Sequence, residues 1–173
     1  MRRLVIVTIL VLVIAVGYRG FGSETTGTGT LTVSQPWPTP GEKAPSFEAE
    51  RLNGKDFQMP DEGTYVVSFW SGLNQGSYSA HPAFEEMARE YDGPEVSFAA
   101  VYVGGVPRED RLGAPYAVIQ DASGELTSMY NVKRVPRLFL VEDGEVRLTQ
   151  ESFTEEDERE MRRELESTLQ AST

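Results

Sequence analysis

Residues 69 to 87 read FWSGLNQGSYSAHPAFEEM, and the change of character along this stretch decides the fold. Phe69 closes a β-branched and aromatic run from Thr64 (TYVVSF), of strand length. Ser71 to Gly76 then carries two glycines, the punctuation of a turn. Beyond it, Ala80, Phe84, Met87 or Ala88, and Tyr91 recur every three to four residues, while Glu85, Glu86, Arg89 and Glu90 take the other face. That spacing predicts an amphipathic helix. Pro82 removes a backbone donor within it, so a kink or a break near the first turn is expected.

The same alternation continues outward. Val96 to Val103 reads as a strand, Gly104-Gly105 and Pro107 as a loop, and Tyr116 to Ile119 as a short strand. A helix over Ser123 to Tyr130 leads through Val135-Pro136 to a strand at Leu138 to Val141, and Asp143-Gly144 predicts a hairpin returning through Glu145 to Thr149. The last helix starts with Thr154 as N-cap and Asp157 three residues on, and is expected to bury Met161, Leu165 and Leu169. Phe84, Tyr91, Phe98 and Phe139 fall at core periodicity. Upstream, Asn53-Gly54 marks a turn after Phe47. The order β-α-β, then β-α-β-β-α, predicts an α/β domain of the thioredoxin-like three-layer kind, a mixed central sheet with helices on both faces, over residues 41–170.

Composition narrows the chemistry. With 16 Lys plus Arg against 27 Asp plus Glu, the 173-residue chain carries −11, which repels phosphate backbones and argues against nucleic-acid binding. It has no cysteine and a single histidine, His81, so disulfides, thiolate nucleophiles and His/Cys metal cages are excluded by sequence, and neither cofactor nor metal is expected. Met1-Arg2-Arg3 precedes an apolar run, Leu4 to Val16, broken only by Thr8 and followed by Tyr18 and Arg19. As a helix, residues 4–18 would rise about 22 Å at roughly 1.5 Å per residue, against a hydrocarbon core of roughly 30 Å. Recruiting residues up to 21 makes a signal anchor contacting the membrane through residues 4–21; cleavage near Ala15-Val16-Gly17 is the alternative. Either reading places the rest of the chain outside the cytoplasm, as a single-pass cell-membrane protein or a secreted one. Residues 22–40, rich in Gly, Thr and Pro, read as a flexible linker, with Trp37 part of that spacer or packed locally.

Phe69 to Met87 resembles the active-site segment of bacterial membrane-anchored thioredoxin-like proteins of the TlpA type, the redoxin or thiol-disulfide oxidoreductase family, which reads like FWATWCPPCRAEMPAFEEL. Gly41 to Lys55 (GEKAPSFEAERLNGK) is similar to the family's opening hairpin. Tyr130-Asn131-Val132, Val135-Pro136, Phe139-Leu140 and Asp143-Gly144 are similar to its Y-x-V-x-x-V-P-x-x-F-L-x-x-x-G pattern. The resemblance spans about residues 41–169. It sets Asn74 and Ser77 at the two positions of the Cys-x-x-Cys, within Asn74-Gln75-Gly76-Ser77, and Ala80 at the usual glutamate. Thiol-disulfide exchange needs a thiolate attacking sulfur, which neither an amide nor a hydroxyl replaces, so no catalytic residue is assigned.

The resemblance also implies a groove. Pro136 takes the position of the family's cis-proline, on a loop whose backbone pairs with extended peptides without help from cysteine. The expected groove residues are Leu73, Gln75, Gly76, Val135 and Pro136, with Asn74 and Ser77 as helix caps or as binding groups. Lys133, Arg134 and Arg137 make a basic cluster around Pro136, offering electrostatic attraction to an acidic segment or simply pairing with local carboxylates. The expected function is a non-redox module that binds an extended polypeptide or an envelope protein, with a chaperone-like role. The alternatives are a redoxin enzyme borrowing a partner's thiols and a hydrolase using Ser77 and His81, which stand at i and i+4.

Overall fold

The computed structural model describes residues 37–171, except 60, 92 and 109–112. The signal anchor or signal peptide expected over residues 1–21, and linker residues 22–36, lie outside the described residues. Among the described residues no helix is long and apolar enough to cross a membrane.

A small hairpin opens the domain, β1 (Glu48–Glu50) and β2 (Asp56–Gln58), turning through Asn53-Gly54 with Gly54 at φ 77°. The remaining strands are β3 (Thr64–Trp70), β4 (Val96–Val103), β5 (Ala117–Asp121), β6 (Arg137–Glu142) and β7 (Glu145–Gln150). They form one sheet in the order β5-β4-β3-β6-β7, in which β3, β4 and β5 run parallel while β6 and β7 are antiparallel additions. Every residue of β3 is buried, as the centre of a sheet covered on both faces requires.

Period-two alternation divides the core. Val66, Trp70, Phe98, Tyr102, Leu138 and Leu140 face α1 (Gln75–Tyr91) and α3 (Glu155–Ala171), which bring Phe84, Met87, Met161 and Leu165. Val67, Phe69, Val101, Phe139 and Val141 face the β1–β2 hairpin and α2 (Glu125–Met129), which bring Phe47, Phe57, Leu126 and the following Tyr130. The mixed three-layer architecture expected from the element order is present.

Two local expectations need correction, and a third is narrowed. Pro82 neither starts nor breaks α1, which runs as one 17-residue helix across it. The proline lies on the exposed side, where water can solvate the carbonyl it leaves unpaired. The helix expected over residues 123–130 shortens to Glu125–Met129, because Gly124 adopts a left-handed φ of 74°. On α3 the third fully buried position is Thr168, while Leu169 is only partly covered.

Candidate functional site

The N-terminus of α1 and the loop before β6 touch. Asn74 is the helix N-cap: its Oδ1 accepts the backbone N–H of Ser77 at 2.9 Å, and its carbonyl accepts that of Tyr78 at 3.0 Å. Ser77 is 4% exposed, and its Oγ accepts the N–H of Ser71 at 3.2 Å. Both side chains therefore close the strand-to-helix turn. Gly76 lies against the neighbouring loop, since a Cβ there would stand 3.3 Å from Pro136 Cδ and 3.1 Å from Asn74 Oδ1. The Val135–Pro136 peptide is cis. Leu73 is fully exposed, Gln75 and Gly76 are exposed, Val135 is half-buried and Pro136 is buried.

The chain is steered to this loop by the end of α2. Val132 N–H donates to Thr127 O at 2.9 Å and Asn131 N–H to Ser128 O at 3.0 Å, with Asn131 at φ 50°, a Schellman-type termination. Asp121, 5% exposed, holds the other end of α2 by accepting the Thr127 N–H at 2.8 Å and its hydroxyl at 2.6 Å.

The basic cluster does not survive intact. Lys133 and Arg134 are exposed, but Arg137 is 3% exposed and does not present its charge on the surface. Its residue pairs with Phe69 across the β3–β6 ladder, and alternation turns its side chain onto the face that holds Phe139. There its Cζ lies 4.1 Å from the centroid of the Trp37 ring, and Nη2 contacts Glu151 Oε1 at 3.2 Å. Trp37 thus packs on the domain, and Pro38 O accepts the Thr149 hydroxyl at 3.1 Å. Trp37 and Pro38, which the sequence reading put in the linker, therefore lie against the domain.

On the other side of Ser77 a cleft of about 300 Å³ opens, lined by Trp70, Ser71, His81, Glu85, Tyr102 and Pro107 among others. His81 Nε2 and the Tyr116 hydroxyl are 2.8 Å apart, and the imidazole meets Trp70 edge-to-face with centroids 6.3 Å apart. The indole N–H of Trp70 donates to Ser68 Oγ at 2.6 Å, whose hydroxyl donates to Ala99 O at 3.0 Å. Ser77 and His81 both line the cleft, yet the serine hydroxyl is buried and accepts a backbone N–H, while His81 Nε2 is engaged by Tyr116. Glu85 is paired with Arg89, so this carboxylate is not arranged to orient the imidazole. The hydrolase alternative loses its geometric support. Among the described residues no three His, Cys, Asp or Glu side chains converge as metal ligands.

Tyr102 could have been placed by alternation with Phe98 and Ala100 on β4. Tyr116 could not, because its partner His81 lies far away in sequence.

With the geometry in place, comparison with known proteins identifies the lineage. A sequence profile of the AhpC/TSA family matches residues 40–149. The chain belongs to the AhpC/TSA family. Solved structures similar to this AhpC/TSA-family chain include a protein assigned as the thiol:disulfide interchange protein DsbE of Chlorobium tepidum, with a TM-score of 0.65 and 22% identity over 76% of this chain and 99% of that one. The exposed lipoprotein thioredoxin of Streptococcus pneumoniae matches with a TM-score of 0.59 and 21% identity over 71% of this chain and 99% of that one. The thioredoxin domain of a thiol-disulfide oxidoreductase from Bacteroides vulgatus gives 0.59 and 14% over 73% and 98%. No curated protein matches at a significant level. The thioredoxin-like fold and the redoxin-family, TlpA-type recognition drawn from the sequence are borne out. In this AhpC/TSA-family chain, which has no cysteine, cysteine-based thiol-disulfide chemistry has no thiol of its own to use.

Proposed function

We infer that this thioredoxin-like domain is a non-redox binding module that holds an extended polypeptide across the N-terminus of α1 and the Val135–Pro136 loop. The observation that carries the reading is Gly76: it leaves bare backbone against the Pro136 ring, so a strand-like ligand can approach both segments at main-chain distance. Leu73 and Tyr78, 100% and 76% exposed, flank that line and give apolar side chains something to pack on. The adjoining cleft is sized for one side chain of the ligand.

The domain works outside the cytoplasm in this reading, carried there by the apolar segment of residues 4–21 as an anchor or a cleaved signal. The exposed lipoprotein thioredoxin among the structural relatives agrees with that placement. Partners would be unfolded or extended segments of envelope proteins.

The test uses the full chain in detergent micelles and a fluorescein-labelled, amidated nonapeptide alternating valine and threonine, its binding read by anisotropy. Saturable binding is expected, weakened about tenfold or more by Gly76→Val, whose side chain fills the bare-backbone strip, with the circular dichroism spectrum unchanged. Binding indifferent to Gly76→Val, or none at all, refutes the groove.

A further inference from the structure

One residue beyond the groove stands a group the fold does not satisfy. Arg137 follows Pro136, begins β6 and is 3% exposed. A guanidinium stays charged at physiological pH and carries five N–H donors. Nε and Nη1 are buried without a hydrogen-bond partner among the described residues. The remaining nitrogen, Nη2, meets Glu151, whose side chain is 62% exposed. Trp37 covers the guanidinium through a cation–π contact, which provides no acceptor for the unpaired N–H groups. For stability alone, an unbranched apolar side chain would pack beneath the indole without the desolvation penalty. The cover itself is half-buried and belongs to a proline-flanked segment leading into the Gly/Thr-rich linker.

We propose that Arg137 is a carboxylate-binding site, covered by Trp37 in the free chain, that takes an acidic side chain of an extended polypeptide lying along the groove. The kind of ligand rests on the groove reading; the carboxylate preference rests on Arg137 itself. A carboxylate has the planar, two-oxygen geometry that a guanidinium fork recognises: on Nη2 and one neighbouring nitrogen, Nε or Nη1, it would give one of the two unpaired donors an acceptor. Exposed Lys133 and Arg134 on the same loop attract such a group despite the acidic character of the chain. Glu151 holds only Nη2 and, being exposed, can yield to the ligand. Trp37 acts as a displaceable competitor, so the site opens when the indole lifts from Arg137.

The experiment compares two nonapeptides on the full chain in micelles: the valine/threonine probe with a central glutamate, and the same peptide with glutamine. The glutamate peptide is expected to bind about tenfold tighter, the scale of one charge-assisted contact. Trp37→Ala should tighten the glutamate peptide severalfold and leave the glutamine peptide unchanged, and Arg137→Met should erase the preference while keeping the shared affinity. Equal binding of the two peptides by both the parent chain and Trp37→Ala overturns the carboxylate site and leaves the groove standing. Binding of neither peptide overturns both. Should Arg137→Met fail to fold, the Trp37→Ala comparison decides, because removing an indole that covers a purely structural arginine would not confer selectivity for glutamate.

Discussion

Asn74 does at the head of α1 what an N-cap does anywhere, and its contribution is measurable as such. Asn74→Ala removes the acceptor for the Ser77 N–H and is expected to lower stability by about 1 kcal/mol, whereas Asn74→Asp, which keeps the oxygen, should hold it. Urea unfolding followed by far-ultraviolet dichroism reads the difference. A larger loss for Asn74→Asp than for Asn74→Ala would mean that the amide is doing something other than capping. This role was legible beforehand, since Asn and Ser before a helical period are capping types whatever their neighbours. The fate of Arg137 was not: the residues flanking Pro136 give no sign that one of three basic side chains turns inward. Its direction is set by the pairing of residue 137 with Phe69 in a ladder formed by distant segments.

The helix starts carry the pH dependence. At the head of α3, Thr154 and Asp157 form a reciprocal box: Thr154 N–H and hydroxyl each donate to Asp157 Oδ2 at 2.8 Å, and Asp157 N–H donates to Thr154 Oγ1 at 3.3 Å. Burial alone would raise the Asp157 carboxyl, but these bonds, with one from the Ser152 hydroxyl, outweigh it and hold the group below the ordinary carboxylate range. A depressed folded-state value means the stabilisation is complete above the unfolded value, about 3.9, and is lost as pH falls through the folded one. Asp157→Asn should therefore be less stable than the parent near neutrality, and the gap should close as pH falls below the ordinary carboxylate range, in urea midpoints taken from neutrality downward. A constant gap at every pH would remove the titration from the account. At the other end of the hairpin, Asp143 and Gly144 both take positive φ, 50° and 75°, the turn their sequence predicts. By contrast, Pro82 shows that the break, one of the two outcomes the local reading allowed, is not taken. Whether a proline breaks a helix depends on which side faces solvent, and that follows from packing against the sheet.

For the whole molecule, a thioredoxin-like scaffold is present in a chain that has no cysteine. The meeting of strand end, helix start and Pro136 loop is the arrangement a dithiol would need. Asn74→Cys with Ser77→Cys should consequently give a chain that reduces insulin disulfides above the background of the parent, with a thiol at the N-cap whose pKa is lowered by the helix terminus. A folded double variant that is silent in that assay would refute the correspondence of these two positions with the dithiol. The net charge of −11 leaves Lys133 and Arg134 as a local exception beside the groove, so peptide affinity should also be tuned by the sign of charge on the ligand.

The order of strands and helices, the capped turn after Phe69, the Asp143-Gly144 hairpin and the absence of cysteine are all read from the chain without its partners across the fold. Steric preference, side-chain period and residue chemistry act between near neighbours, and these are written in the chain itself. Trp37 over Arg137, Tyr116 against His81 and Gly76 against Pro136 join segments that approach only once the sheet has assembled. No periodicity names a partner across that distance: the register of β3 with β6, and the face onto which each side chain then falls, decided which charge was buried.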